Sequence, residues 1–269
     1  MILKSIFRHL WNDYTAQNPS AKKIHDLFKN EGEEVVNDHI AFRTIDFEDV
    51  NINALAVPFI KSGYILKGEY DFEEKHLYAR HYKIPGDRKA PRIFLSQLIL
   101  QDVSPFINEI FREAFLNADR KKLDKNTLIF AGRIFDPISY KTYQMLREES
   151  EYAAWFYVFG FRANHFTVSV NHLKKYNTIY KVNELLKTNG FVLNTSGGEV
   201  KGEGEMLLQS STMADLVKVD FADGTYEIPS CYYEFAQRLP DEKGELYSGF
   251  IAKSADKIFE STNMYQNRK

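Results

Sequence analysis

The sequence predicts an α+β fold in which two βαβββ modules form a curved, half-open, barrel-like sheet around a cleft, with a helical insertion between them. Three observations predict it. Two β-prone runs, 37–45 (Asn-Asp-His-Ile-Ala-Phe-Arg-Thr-Ile) and 164–171 (Asn-His-Phe-Thr-Val-Ser-Val-Asn), both open with asparagine and a histidine. Each is followed by a stretch with apolar residues at helical spacing that stops at a glycine. Each half then ends on a proline-led, strand-like run.

Taken in order, the first helix-like stretch is 49–61, with Leu55, Val57, Phe59 and Ile60 as its apolar set, and it stops at Gly63. The second is 173–188, with Tyr176, Ile179, Tyr180, Leu185 and Leu186, and it stops at Gly190. His39 to Gly63 spans 24 residues and His165 to Gly190 spans 25. Further strands are expected at 64–67 and 191–194, and last strands at 91–96 and 229–234. In this alignment Ser96 takes the place of Glu234. Residues 104–160 read as a helical insertion, with one helix opening at Pro105 and another at Ser139. The chain 1–269 is therefore expected to be one domain: a first half over 30–103, the insertion, and a second half over 161–240.

Composition excludes several function classes. Thirty-five basic side chains against 37 acidic ones leave a net charge of -2. That lacks the basic footprint of a nucleic-acid binder. One cysteine, Cys231, permits no intrachain disulfide and fits a reducing compartment. No run approaches the ~18 apolar residues of a membrane span, and the N-terminus carries no signal-like segment. The expectation is a cytoplasmic protein without nucleic-acid or membrane partners.

The repeat supplies candidate ligands. Repeat-equivalent His39 and His165 can converge across a pseudo-twofold although 126 residues separate them. Strand alternation puts His39, Ala41 and Arg43 on one face, and His165, Thr167, Ser169 and Asn171 on a wholly polar one. Tyr232, Glu234 and Ala236 alternate with Tyr233, Phe235 and Gln237, and a carboxylate in so aromatic a run needs a partner. Two histidines and one carboxylate leave open positions on a metal, the arrangement of non-haem Fe(II) oxygenases. The alternative keeps each residue structural, with the histidines bonded to backbone and Glu234 paired to Arg238 or a lysine.

At these residues the chain resembles a known family. The runs 37–44, 91–98, 164–167, 208–215 and 228–238 occur together in the 2-oxoadipate dioxygenase/decarboxylase family, over roughly 30–250. That family is similar in fold to the vicinal-oxygen-chelate superfamily and in chemistry to hydroxymandelate synthase. The resemblance implies Fe(II) on His39, His165 and Glu234, with Arg43 binding the distal carboxylate of a 2-oxo acid through a bidentate pair. It implies conversion of 2-oxoadipate and O2 to 2-hydroxyglutarate and CO2. Longer members carry a C-terminal extension that contributes to the substrate pocket. Only 35 residues follow Glu234 here, so no such region is expected and the identity of the 2-oxo acid does not follow.

Gln209, Ser96 and Thr167 are candidates for residues supporting the ligands or substrate. His76, His81, His9, His25 and His172 are assigned surface or packing roles, and Cys231 no catalytic one. The glycine-rich run 197–205 does not lead into a helix as a phosphate loop would. It reads as a loop at the cleft mouth with a lid role. Three readings stay open beside the leading one. They are another divalent metal such as manganese, a non-oxidative lyase, isomerase or ring-cleaving dioxygenase on the same scaffold, and a small-acid binding protein without turnover.

Overall fold

The computed structural model describes residues 3–251. Strand β1 (Asn37–Ile45) is the seam of the molecule. It pairs in parallel with β4 (Arg92–Leu98) on one side and antiparallel with β5 (Ala163–Ser169) on the other. Beyond β4 lie β3 (Leu77–Lys83) and β2 (Ile65–Phe72), and beyond β5 lie β9 (Glu234–Arg238) and β6 (Leu207–Ser211). The seven-stranded order is β2-β3-β4-β1-β5-β9-β6, so the duplication is written into the topology: β1 and β4 repeat as β5 and β9.

The first half is strand, helix, strand, strand, strand as expected, with α3 (Ile52–Ile60) as its helix. The second half departs from the scheme. Its helix α7 (Ile179–Thr188) begins six residues later than 173 because Thr178 caps it, accepting a hydrogen bond from the Lys181 N–H. Residues 191–194 form no strand, only a bridge from Leu193 to Thr212. Val192 is 69 % exposed, and Gly197 and Gly198 turn the backbone to positive φ just beyond, so no ladder can extend. An additional hairpin of β7 (Leu216–Phe221) and β8 (Gly224–Pro229) stands outside the main sheet.

The outer face of the sheet is apolar and covered by helices. Helices α1 (Leu3–Gln17) and α2 (Pro19–Asn30), which the periodicity reading left unassigned, close the second half: Trp11 and Tyr14 of α1 pack their rings on Phe166, and Phe28 of α2 packs on Phe235. Phe59 of α3 packs on Phe42. Ser210 donates to Asn183 of α7 at 2.7 Å.

The insertion is helical as expected: α4 (Pro105–Asn117), α5 (Tyr140–Glu149) and α6 (Glu151–Phe159), each opened by a capping serine, Ser104, Ser139 or Ser150. From Tyr152 to Phe159 every residue of α6 is buried. Helix α6 ends at Gly160, at φ 65°, where a Cβ would lie 2.2 Å from the Gly132 carbonyl oxygen. Only glycine allows that approach. Helix α6 thereby reaches the inner face of the sheet beside Arg43.

Candidate metal centre

Register decides which side chains meet. His39 pairs with Thr167, Ala41 with His165, and Thr167 with Glu234, so three adjacent strands present His39, His165 and Glu234 on the inner face. One ligand atom from each lies within 4.8 Å of the others, and all three residues are buried. Glu234 Oε1 is 3.6 Å from His39 Nε2, and Oε2 is 3.1 Å from His165 Nε2.

The outer ring nitrogens are engaged away from the cleft. His39 Nδ1 lies 2.9 Å from Asp38 Oδ1, and His165 Nδ1 lies 2.9 Å from Asn164 Oδ1. A carboxylate only accepts, so His39 carries its proton on Nδ1 and turns the Nε2 lone pair inward. Asp38 is itself held by Arg238, with Nε at 2.7 Å and Nη2 at 2.8 Å, and by Arg92 at 3.3 Å. Burial opposes ionisation of Asp38, yet the charge of Arg238 and the His39 hydrogen bond hold its carboxyl well below the usual carboxylate range. Arg238 thus serves Asp38, not Glu234 as the structural alternative had it.

Burial likewise opposes ionisation of Glu234, but His39, His165 and the Gln209 amide, which donates to Oε1 at 2.6 Å, keep it below the ordinary carboxylate value. Burial lowers the basicity of His165. An anionic carboxylate beside an imidazole disposed to be neutral is a donor set that fits a divalent cation.

Arg43 lies four residues beyond His39 on the same face and is fully buried. Its guanidinium lies 4.8 Å from the centre of the Tyr152 ring and 5.0 Å from that of Trp155, and Nη1 is 3.2 Å from Glu151. A surface cavity of about 280 Å³, lined in part by His76, Ser104, Glu149, Glu151 and Tyr152, adjoins this end and contains none of the three ligands.

The other candidates separate. Gln209 touches Glu234, and the Thr167 hydroxyl lies 3.0 Å from His39 Nε2. Ser96 is not the counterpart of Glu234. With His39 aligned on His165, the parallel registers align Glu234 with Phe94, because Ala41 pairs with Phe94 as Thr167 pairs with Glu234. Ser96 instead bonds Tyr152, at 3.0 Å, beneath Arg43. The glycine-rich run is tied to α7, Glu199 accepting from Asn183 and Lys187, and so does not lid the cleft. His81 is buried, bonds Tyr70 at 2.8 Å, and is driven down to about 3 by burial and by Arg92 and Arg238, so it is a neutral wall residue. Burial pushes the Cys231 thiol up to about 12, which leaves it unreactive.

The short segment after β9 still reaches the site. Residues 239–251 return toward the first half: Arg238 donates to the carbonyls of Tyr247 and Gly249, and Arg92 to that of Ser248. They bring Phe250 edge-on to His39, at 4.8 Å between ring centres, and against His81 and Phe94. No sequence pattern announced this strap. Asp38 and Asn164 were also missed, although a signal existed: in both repeats an acceptor side chain immediately precedes the histidine.

Residues 6–245 match the family described as 2-oxoadipate dioxygenase/decarboxylase. A rice protein named 2-oxoadipate dioxygenase/decarboxylase, chloroplastic/amyloplastic, is 34 % identical over 97 % of this chain and 78 % of its own length. The crystal structure of a rice hydroxyglutarate synthase in complex with 2-oxoadipate superposes with a TM-score of 0.91 at 34 % identity, covering 98 % of this chain and 93 % of that one. A Shewanella frigidimarina protein whose structure bears the name of a hydrolase is 48 % identical, with a TM-score of 0.87 over 93 % of this chain and 97 % of its own. A glyoxalase superfamily protein from Ralstonia eutropha, 21 % identical over 90 % of this chain and 83 % of its own, shares the fold at a TM-score of 0.75. Among the described residues no helix is long and apolar enough to cross a membrane. The cytoplasmic expectation gains nothing from a relative named as plastidic.

Proposed function

We infer the activity of this chain from two premises: it belongs to the 2-oxoadipate dioxygenase/decarboxylase family, and three buried potential ligands converge on the inner face of the sheet, where Arg43 is buried on the same face of β1 as His39. The reading is an Fe(II)- and O2-dependent dioxygenase that decarboxylates a 2-oxo acid, with 2-oxoadipate as substrate and 2-hydroxyglutarate and CO2 as products. Both atoms of O2 are then accounted for in the 2-hydroxyglutarate, one in the carboxylate formed from the keto carbon and one in the new hydroxyl, while CO2 carries the two oxygens of the original carboxylate. His39, His165 and Glu234 would hold the metal. Iron, when bound there, supplies the activation of O2 and the redox equivalents for decarboxylation and hydroxylation.

The remaining work belongs to the chain. Three protein ligands leave positions open for a 2-oxo acid and O2. Asp38 and Asn164 fix the two imidazoles so that the ligands need not reorganise. Arg43 offers a planar fork of donors that matches a carboxylate, which selects a dicarboxylic substrate. Helix α6 and the Phe250 strap keep bulk water from the cleft.

The convergence of His39, His165 and Glu234 with Arg43 on one inner face carries this reading. The test is anaerobic reconstitution with Fe(II), followed by O2 uptake and CO2 release across a panel of 2-oxo acids. The expected result is equimolar uptake and release with 2-oxoadipate, lost in His39→Ala, His165→Ala and Glu234→Ala, and weakened in KM by Arg43→Met. Turnover that continues without O2 would instead favour hydrolytic or other non-oxidative chemistry on the same residues, as the name of the Shewanella relative suggests.

A further inference from the structure

Tyr232 is the inner-face residue for which the architecture leaves no internal task. Extending the parallel register of β5 and β9 back two places from Thr167–Glu234 sets Tyr232 beside His165. Its ring stacks on that imidazole at 4.8 Å and 25°. Tyr14 holds the backbone by donating to the Tyr232 carbonyl. The residue is fully buried, yet its hydroxyl makes no hydrogen bond to any described residue. Such a group is uncommon in a folded interior and calls for a partner that comes and goes.

Its surroundings say what that partner is. Its ring rests on His165, and Glu234, Arg43 and Glu151 all lie within electrostatic reach of the hydroxyl. His165 has no acceptor to spare: Nδ1 meets Asn164 Oδ1, and Nε2 faces Glu234 as the atom that would hold the metal. Arg43 has only donors. A buried, unbonded hydroxyl within electrostatic reach of a guanidinium favours an anion as that partner.

We propose that the Tyr232 hydroxyl is a second hydrogen-bond donor, beside Arg43, to the distal carboxylate of the substrate, and so a specificity-determining residue for dicarboxylic 2-oxo acids. This rests on the reading of the cleft as a 2-oxo acid site. Tyr232 is then a positioning residue: it fixes the far end of the substrate while the 2-oxo acid end meets the metal ligands.

The test is Tyr232→Phe, which keeps the ring stacked on His165 and removes one oxygen. Fe(II)-loaded wild type and variant are titrated calorimetrically without O2, using 2-oxoadipate and 2-oxohexanoate, which lacks the distal carboxylate. The variant should bind 2-oxoadipate about ten- to a hundredfold more weakly, the worth of one hydrogen bond to a charged group. It should bind 2-oxohexanoate as the wild type does. Iron stoichiometry should be unchanged, and the unfolding midpoint unchanged or higher, because an unsatisfied buried hydroxyl has been removed. Equal weakening for both acids would overturn the assignment to the distal carboxylate, and unchanged binding of both would overturn the role altogether. Failure of the wild type itself to bind either acid would bring down the reading of the site, and the inference with it.

Discussion

Replacing Asp38 by asparagine tests how far the centre depends on a residue that touches no substrate. Asp38 receives four contacts, from Arg238 Nε and Nη2 at 2.7 and 2.8 Å, from Arg92 at 3.3 Å and from His39 Nδ1 at 2.9 Å. Asp38, Arg238 and His39 are all at least 96 % buried. Asparagine keeps the shape and one acceptor but deletes the charge, leaving the Arg238 guanidinium buried without its counter-ion. Breaking a buried pair from one side costs about 3–5 kcal/mol, so with one acceptor retained a loss near the lower end, about 3 kcal/mol, is expected. Metal affinity should fall roughly 10-fold, the lower end for such partners, because a neutral amide oxygen still accepts from His39 Nδ1 but holds the imidazole less firmly than a carboxylate. Urea unfolding of the metal-free protein reads the first quantity, and anaerobic Fe(II) titration reads the second. Adding Arg238→Met should recover much of the stability, since neither charge then remains, but not the metal affinity. If Asp38→Asn unfolds at the wild-type midpoint and binds Fe(II) with wild-type affinity, the orienting role is refuted.

Phe250→Ala removes a ring whose burial is worth about 2 kcal/mol, so the strap should open about 30-fold more often, and a chelator should strip bound metal correspondingly faster in a stopped-flow assay. Glu33 binds the backbone N–H groups of Lys174, Lys175 and Tyr176 at 2.7, 2.6 and 3.2 Å, and although burial opposes its ionisation those bonds hold its carboxyl below the ordinary value. A depressed carboxyl stabilises the fold above its unfolded value and loses that contribution as pH falls. Glu33→Gln should therefore cost about 1–2 kcal/mol in urea unfolding at pH 7, a difference that shrinks once pH drops below ~4.3. Gly160→Ala sets a Cβ 2.2 Å from the Gly132 carbonyl at a φ of 65°, and should lower the melting temperature while weakening substrate binding through displaced α6.

The convergence of the candidate metal ligands was legible in the sequence because a duplication makes spatial neighbours out of distant residues, and period-two alternation says which of them share a face. His39 and His165 follow from those two rules alone, and the same alternation puts Arg43 on the face of His39, while its substrate role came from the family resemblance. Glu234 was found for its cost of burial, while its assigned counterpart was two places off. Phe94 lies three positions after Pro91, and Glu234 lies five after Pro229, so aligning the prolines shifts the register. The strand expected at 191–194 failed because a β-prone run becomes a strand only if a neighbour completes its ladder, and Val192 lies open to solvent. The Phe250 strap was beyond sequence reasoning, since its position depends on backbone carbonyls that accept from Arg92 and Arg238 and on no periodicity.

The corrected register also explains how a duplicated fold makes an asymmetric site. Equivalent positions next to the two histidines carry Arg92 in one half and Tyr232 in the other, and the positions two residues further carry Phe94 and Glu234. A carboxylate at both of the latter would give four protein ligands and crowd out the positions a bidentate 2-oxo acid and O2 require. Phe94 instead packs on Phe250 at 4.8 Å and on Tyr70 at 5.9 Å, making an apolar wall opposite Glu234. Arg92 is likewise turned away from the cleft to brace Asp38, whereas Tyr232 stays beside His165. Each half therefore supplies one histidine by symmetry. The differences between the halves supply the rest: one carboxylate, one dry wall, and a tyrosine stacked on His165.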